Sequence, residues 1–217
     1  MSRSRPLRAA VFDLDGTLLD SVSLVLQAIA HALEPFGPRA EPAIFARLGG
    51  PPERFMRTLL DDVRHTPAAV ARMAAYHQAH ADRIAPFAGA IRLLETLHRD
   101  GIRLAVWTGR DRDTTEGLLR EHHLGHLLSS VICGDDLPSH KPDPAGLRDI
   151  MRRLEVLPAE TIYVGDADVD VLGGAACEVD TVLIRHRRDV PAAIVAQSWR
   201  TVPQPADAFK LLRECFA

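Results

Sequence analysis

The sequence predicts an α/β protein, a doubly wound parallel sheet of Rossmann-like type with an α-helical module inserted after its first strand. Three observations carry this reading. Five short apolar runs, at residues 9–12, 102–107, 130–133, 161–164 and 181–184, read as strands buried on both faces. Helical patterns at 90–99, 113–122, 144–154 and 169–176 separate the later runs, the alternation that builds a parallel sheet. Residues from about 21 to 86 break this alternation. That stretch is Ala-rich, has helical periodicity at 22–33, 52–63 and 67–84, shows no strand pattern, and is punctuated by Pro35, Gly37, Pro38, Gly49, Gly50, Pro51 and Pro67. The expected division is a core of residues 1–19 and 87–217 and a helical module of residues 20–86.

Bulk properties bound the function. A chain of 217 residues suffices for one sizeable domain with a modest insert. A formal net charge of −3 argues against nucleic-acid or anionic-membrane binding. Cys133, Cys177 and Cys215 are far apart and form no CxxC pair, so they read as reduced thiols of a cytoplasmic protein. No apolar run reaches membrane-spanning length. The basic head, residues 1–8, is followed by too short an apolar run for a signal peptide. All basic residues except Lys141 and Lys210 are arginine, which singles out each lysine.

The chemistry-bearing residues fall at strand ends, where open α/β sheets bind ligands. The first strand runs into Asp13-Leu14-Asp15-Gly16-Thr17. Two carboxylates there either share a cation, for which oxygen ligands favour Mg²⁺, or form a helix N-cap cluster. The second ends in Thr108-Gly109-Arg110, either a phosphoryl cradle of hydroxyl and backbone N–H groups or a plain turn. Lys141, in Ser139-His140-Lys141-Pro142-Asp143-Pro144, follows the third and is either a charge-neutralising cation or a solvated loop residue. The fourth ends in Gly165-Asp166-Ala167-Asp168-Val169-Asp170, which can complete a hard-cation site or cap a helix.

Taken together, DLDGTLLDS, the strand-two Thr, KPDP and GDADVD resemble the haloacid dehalogenase-like superfamily over residues 8–186. The resemblance implies a Mg²⁺-dependent phosphatase acting on small phosphorylated metabolites. Asp13 would be the nucleophile forming an aspartyl-phosphate, and Asp15 the acid and then base. The metal would be held by the Asp13 carboxylate, the Asp15 backbone carbonyl and Asp166, with Asp170 orienting the loop or Lys141. Thr108, the Gly109 amide and Lys141 would bind the transferring phosphoryl group. Dehalogenating relatives lack an acid at the position of Asp15, so its presence favours phosphate chemistry.

A helical insert at this position looks like the cap of the phosphoglycolate-phosphatase and β-phosphoglucomutase group, with hinges near residues 19–21 and 86–89. Phosphoglycolate-like substrates are one expectation, a phosphosugar mutase the alternative. Leu48-Gly49-Gly50-Pro51-Pro52 is similar to a cap loop that dips toward the site, with Arg47, Gly50 and Arg54 as specificity candidates. The β-phosphoglucomutase loop carries a lysine near this position, and the module here has none. Gly109 stands where relatives often carry Asn, and Arg110 where many have lysine. The histidines, including His77, His80, His122, His123 and His126, read as surface residues.

Overall fold

The computed structural model describes residues 6–37, 51–186 and 189–216. Its centre is a six-stranded sheet in the order β3-β2-β1-β4-β5-β6, with every neighbouring pair parallel. The strands are β1 (Ala9–Phe12), β2 (Arg103–Trp107), β3 (Ser130–Ile132), β4 (Thr161–Gly165), β5 (Asp180–Ile184) and β6 (Arg200–Val202). Parallel strands need crossovers, and helices supply them. These are α4 (Ala90–Arg99), α5 (Arg112–Glu121), α6 (Ala145–Leu154), α7 (Asp168–Ala176) and α8 (Ala192–Val195), with α9 (Pro205–Phe216) closing the chain.

Strand periodicity sorts β1 between two cores. Ala10 and Phe12 face Leu93, Leu94 and Leu97 of α4 and Phe209 and Leu212 of α9. Ala9 and Val11 face Leu147, Ile150 and Leu154 of α6, with Trp107 and Tyr163. All four β1 residues are buried, which is why its sequence is apolar without alternation. Phe12 is level with both Val106 and Val164, so β1, β2 and β4 finish together. Asp13, Thr108 and Asp166 therefore emerge at one edge. This edge flanks β1, where the strand order reverses and α/β sheets open a crevice.

Among the described residues, three α-helices, α1 (Val22–Leu33), α2 (Pro52–Leu59) and α3 (Thr66–Ala79), lie between β1 and α4. They bury a core of their own from Ala28, Ile29, Leu33, Phe55, Met56 and Met73. The chain enters and leaves this bundle side by side. Asp20 N donates to Ala85 O at 2.8 Å, and Phe87 N to Leu18 O at 2.9 Å.

Several expectations need correction. Five strands were expected, whereas β6 adds a sixth. It has three residues, two of them exposed, too little apolar signal to read. The C-terminal helix α9 was likewise not anticipated, although Ala208, Phe209 and Leu212 give it a buried face. The helix expected over 52–63 stops at Leu59 because Leu60 turns extended, and Asp62 caps a short turn by accepting from Arg64 N. The helix expected over 67–84 begins at Thr66 and stops at Ala79. The helix expected over 113–122 spans Arg112–Glu121, and His123 just beyond it takes a φ of 54°.

Candidate active site

Asp13 follows the last residue of β1 and is buried at 8% exposure. Its Oδ1 accepts from Lys141 Nζ at 2.7 Å. The same ammonium donates to Asp170 Oδ1 at 2.8 Å, and lies 5.1 Å from the Trp107 ring centroid and 5.5 Å from that of Tyr163. Lys141 is 6% exposed, so the solvated-loop reading of this residue does not hold. An aromatic wall on one side and two carboxylates on the other fix a buried ammonium that burial alone would disfavour. Although burial pushes its pKa down, Asp13 and Asp170 raise it, and it stays charged.

Asp170 is an anchor. Its Oδ1 accepts from Lys141 and from the Tyr163 hydroxyl at 2.6 Å, and its Oδ2 from Ala167 N at 3.0 Å. Although burial pushes its pKa up, the Lys141 ammonium holds the carboxyl below the usual range. Gly165 makes room for it: a Cβ there would lie 2.3 Å from Asp170 Oδ2.

Carboxylate oxygens of Asp13, Asp166 and Asp170 lie within 4.8 Å of one another, all buried. Burial together with Asp170 and Asp166 pushes the Asp13 carboxyl up to about 8, against the pull of Lys141. Three buried carboxylates with one lysine cannot all ionise without a further cation. An oxygen-only donor set of this kind suits a hard divalent ion. Because Asp170 already accepts three hydrogen bonds, Asp13 and Asp166 are the members that fit the ligand role. Gly16 allows the close approach. It takes a φ of +83°, and a Cβ there would meet Asp166 Oδ2 at 2.4 Å.

Asp15 has different company. Its carboxylate takes a two-pronged contact from Arg110, Nε to Oδ2 at 3.1 Å and Nη2 to Oδ1 at 2.5 Å. The Ser21 hydroxyl also donates to Oδ1. Although burial pushes its pKa up, Arg110 and then Ser21 hold Asp15 below the usual carboxylate range. Arg110 in turn donates through Nη1 to His77 Nε2 at 3.5 Å, so a strand-end residue touches α3. His77 is buried, which corrects its reading as a surface residue. Burial and the Arg110 guanidinium hold its imidazole down at about 4 from the ordinary 6.5.

Thr108 is buried at the end of β2, and its Oγ1 accepts from Arg110 N at 3.2 Å. This bond folds the Thr108-Gly109-Arg110 turn so that all three residues line one cavity of about 480 Å³ between the strand ends and the helical bundle. Asp13, Asp15, Lys141, Asp166 and Asp170 line it too. The sequence-derived candidates of the α/β core thus converge.

Those of the helical module do not all do so. Arg54 is exposed, and α2 reaches the cavity instead through Pro52, Glu53 and Phe55. Arg47 and Gly50 lie outside the described residues. Reasoning from the sequence missed His77, Ser21 and Tyr163, and noted Arg110 only as a departure. A signal existed for His77: Ala69, Met73 and His77 recur every fourth residue along the buried face of α3.

Known proteins share this architecture. The chain is 33% identical over 198 residues to phosphoglycolate phosphatase 1 of Pseudomonas aeruginosa, covering 84% of this chain and 72% of that one. It is 31% identical over 188 residues to the pyrophosphatase PpaX of Halalkalibacterium halodurans, covering 83% and 84%. Among solved structures, a hydrolase from Pseudomonas syringae superposes with a TM-score of 0.82 at 23% identity, covering 95% of this chain and 98% of that one. CbbY from Rhodobacter sphaeroides, solved in complex with phosphate, gives 0.76 at 20% identity, covering 93% and 96%. At such identities the structural likenesses speak for the fold. Residues 10–184 match the haloacid dehalogenase-like hydrolase family, and the chain belongs to that family.

Proposed function

We propose that the protein hydrolyses small phosphate monoesters through an aspartyl-phosphate on Asp13. The observation that supports this most is the buried Lys141 ammonium held between Asp13 and Asp170 at 2.7 and 2.8 Å. It stands beside the carboxylate best placed to attack, where the charge of a transferring phosphoryl group would gather. Thr108 and the Gly109 amide, which line the same cavity, supply neutral donors. Positioning and charge stabilisation of this sort make up most of the catalysis of phosphoryl transfer.

In the first step the Asp13 carboxylate attacks phosphorus, and Asp15, having taken up a proton from solvent as its Arg110 contact opens, passes that proton to the departing alkoxide. In the second, Asp15 takes a proton from water as that water attacks the phospho-aspartate, which returns Asp13 and releases inorganic phosphate. Asp13, the Asp15 backbone carbonyl and Asp166 would hold Mg²⁺. When bound, the ion neutralises the carboxylate cluster and a non-bridging phosphoryl oxygen. Asp170 positions Lys141. The two strands of chain joining core and bundle, at residues 18–20 and 85–87, would serve as the hinge of a cap of residues 20–86 that closes over the cavity. The cysteines, far apart in the sequence and without a CxxC pair, are in keeping with a cytoplasmic setting.

Release of inorganic phosphate from p-nitrophenyl phosphate with Mg²⁺ tests the reading. Steady turnover is expected, and Asp13→Asn should abolish it while the variant keeps the wild-type melting transition. Stoichiometric phosphorylation without turnover would instead indicate a phosphoryl-accepting signalling domain.

A further inference from the structure

We propose that this site selects monoesters whose leaving group is bulky, apolar and free of a second anionic charge. The inference rests on the phosphatase reading and adds the substrate class. It follows from the wall that the helical bundle turns toward the strand ends. Val25 of α1, Phe55 of α2, and Val70, Met73 and Ala74 of α3 line the cavity there. A leaving group that pointed away from Asp13 would meet this surface.

The electrostatics favour the same class. Besides Asp13 and Asp166, which would hold the metal, six Asp and Glu side chains line the cavity against two basic ones, Arg110 and Lys141. In the resting site both cations are engaged, Lys141 by Asp13 and Asp170, Arg110 by Asp15. His77, held down at about 4, is neutral near pH 7 and adds no positive charge. From the bundle side the charged residue on the wall is Glu53, an acid. Among the described residues of the bundle, none on this wall carries a positive charge. A carboxylate or a second phosphate on the substrate would therefore be desolvated against apolar side chains and acids, which is costly without a partner. An apolar body would gain by burial instead. The space suits it: about 480 Å³ is within the roughly 300–1,000 Å³ of pockets that take drug-sized molecules.

The full-length protein with Mg²⁺ can be assayed on ethyl phosphate, 2-phenylethyl phosphate and phosphoglycolate. All three expel an alkoxide, so differences in kcat/KM report the pocket rather than the leaving group. 2-Phenylethyl phosphate should exceed ethyl phosphate by about tenfold or more, the factor expected for burying a ring. Phosphoglycolate should fall below ethyl phosphate. Ala74 is exposed and helical, so Ala74→Arg can put a cation on the wall with little effect on folding. It should raise the phosphoglycolate-to-ethyl ratio by roughly tenfold. Phosphoglycolate ahead of both neutral esters would overturn the proposal, as would a ratio unmoved by Ala74→Arg. Turnover confined to p-nitrophenyl phosphate would overturn it and leave the phosphatase reading standing. No turnover of any ester would overturn both.

Discussion

Asp13 and Asp15 leave the same strand end two residues apart, and their surroundings give them opposite tendencies. Asp13 sits among carboxylates that burial makes costly to ionise, and its pKa rises to about 8. Asp15 faces the Arg110 guanidinium, which holds it ionised. A carboxylate clamped by Arg110 cannot also donate a proton, so acid catalysis requires this contact to give way to the leaving oxygen. The division of labour can be read directly. With Asp15→Asn, alkyl phosphates should not be turned over, since their alkoxides need a proton to depart. p-Nitrophenyl phosphate needs little such help and should still phosphorylate Asp13, after which water lacks its base. Intact-mass measurement should show one added phosphoryl group mapping to Asp13. A label elsewhere, or one that survives Asp13→Asn, would exclude Asp13 as nucleophile. The acid pair itself was legible because two acids and a glycine after an apolar strand leave few structural uses. The Arg110 partner was not, because an arginine three residues past a strand gives no sign of which carboxylate it will reach 95 positions away.

At the scale of elements, α3 is where sequence and structure diverge most usefully. Its helical period was plain, and its apolar stripe of Ala69 and Met73 continues into His77, which a histidine's ordinary surface habit disguises. The stripe carries His77 to the rim of the cavity, against Arg110 and near Asp15 and Asp111. A histidine kept neutral by burial links the docking of α3 to pH. Its pKa in the folded chain is about 4 against 6.5 when unfolded. Between those values the unfolded chain binds the extra proton, so this group's contribution to stability is complete above about 6.5 and is lost as pH falls toward 4. The melting temperature of the wild type should therefore drop more steeply between pH 6.5 and 4.5 than that of His77→Gln, which keeps a polar side chain without the titration. Parallel curves for the two proteins would mean that His77 is solvated. The strands were easier to read than α3. β1, β2, β4 and β5 are apolar runs buried on both faces, whereas β6, at the sheet edge with exposed Arg200 and Thr201, carries no such signature.

Across the whole molecule, one fact of topology gathers the site. The order β3-β2-β1-β4-β5-β6 places β1 between β2 and β4, so residues more than 150 positions apart along the chain share one edge. The sequence could indicate which strand ends carried acids, a hydroxyl and a lysine. It could not indicate strand order by itself. That shared edge sets Asp13 and Asp166 side by side with Asp170, a concentration of negative charge that one lysine offsets only in part. The folded chain thus carries repulsion that the unfolded chain does not, and a ligand that relieves it only in the folded state must stabilise the fold. Mg²⁺ should therefore raise the melting temperature at neutral pH, by several degrees once the ion is in large excess over its dissociation constant. Asp166→Asn removes one ligand and one repelling charge together. It should melt at or above the wild type without metal and gain little when Mg²⁺ is added. Phosphatase activity should vanish in excess chelator and return with Mg²⁺. Ca²⁺ should compete without restoring turnover, because its longer bonds and larger coordination number do not match a compact oxygen site. An equal thermal gain in wild type and Asp166→Asn would place the ion elsewhere, and full activity in chelator would remove the metal from the reaction.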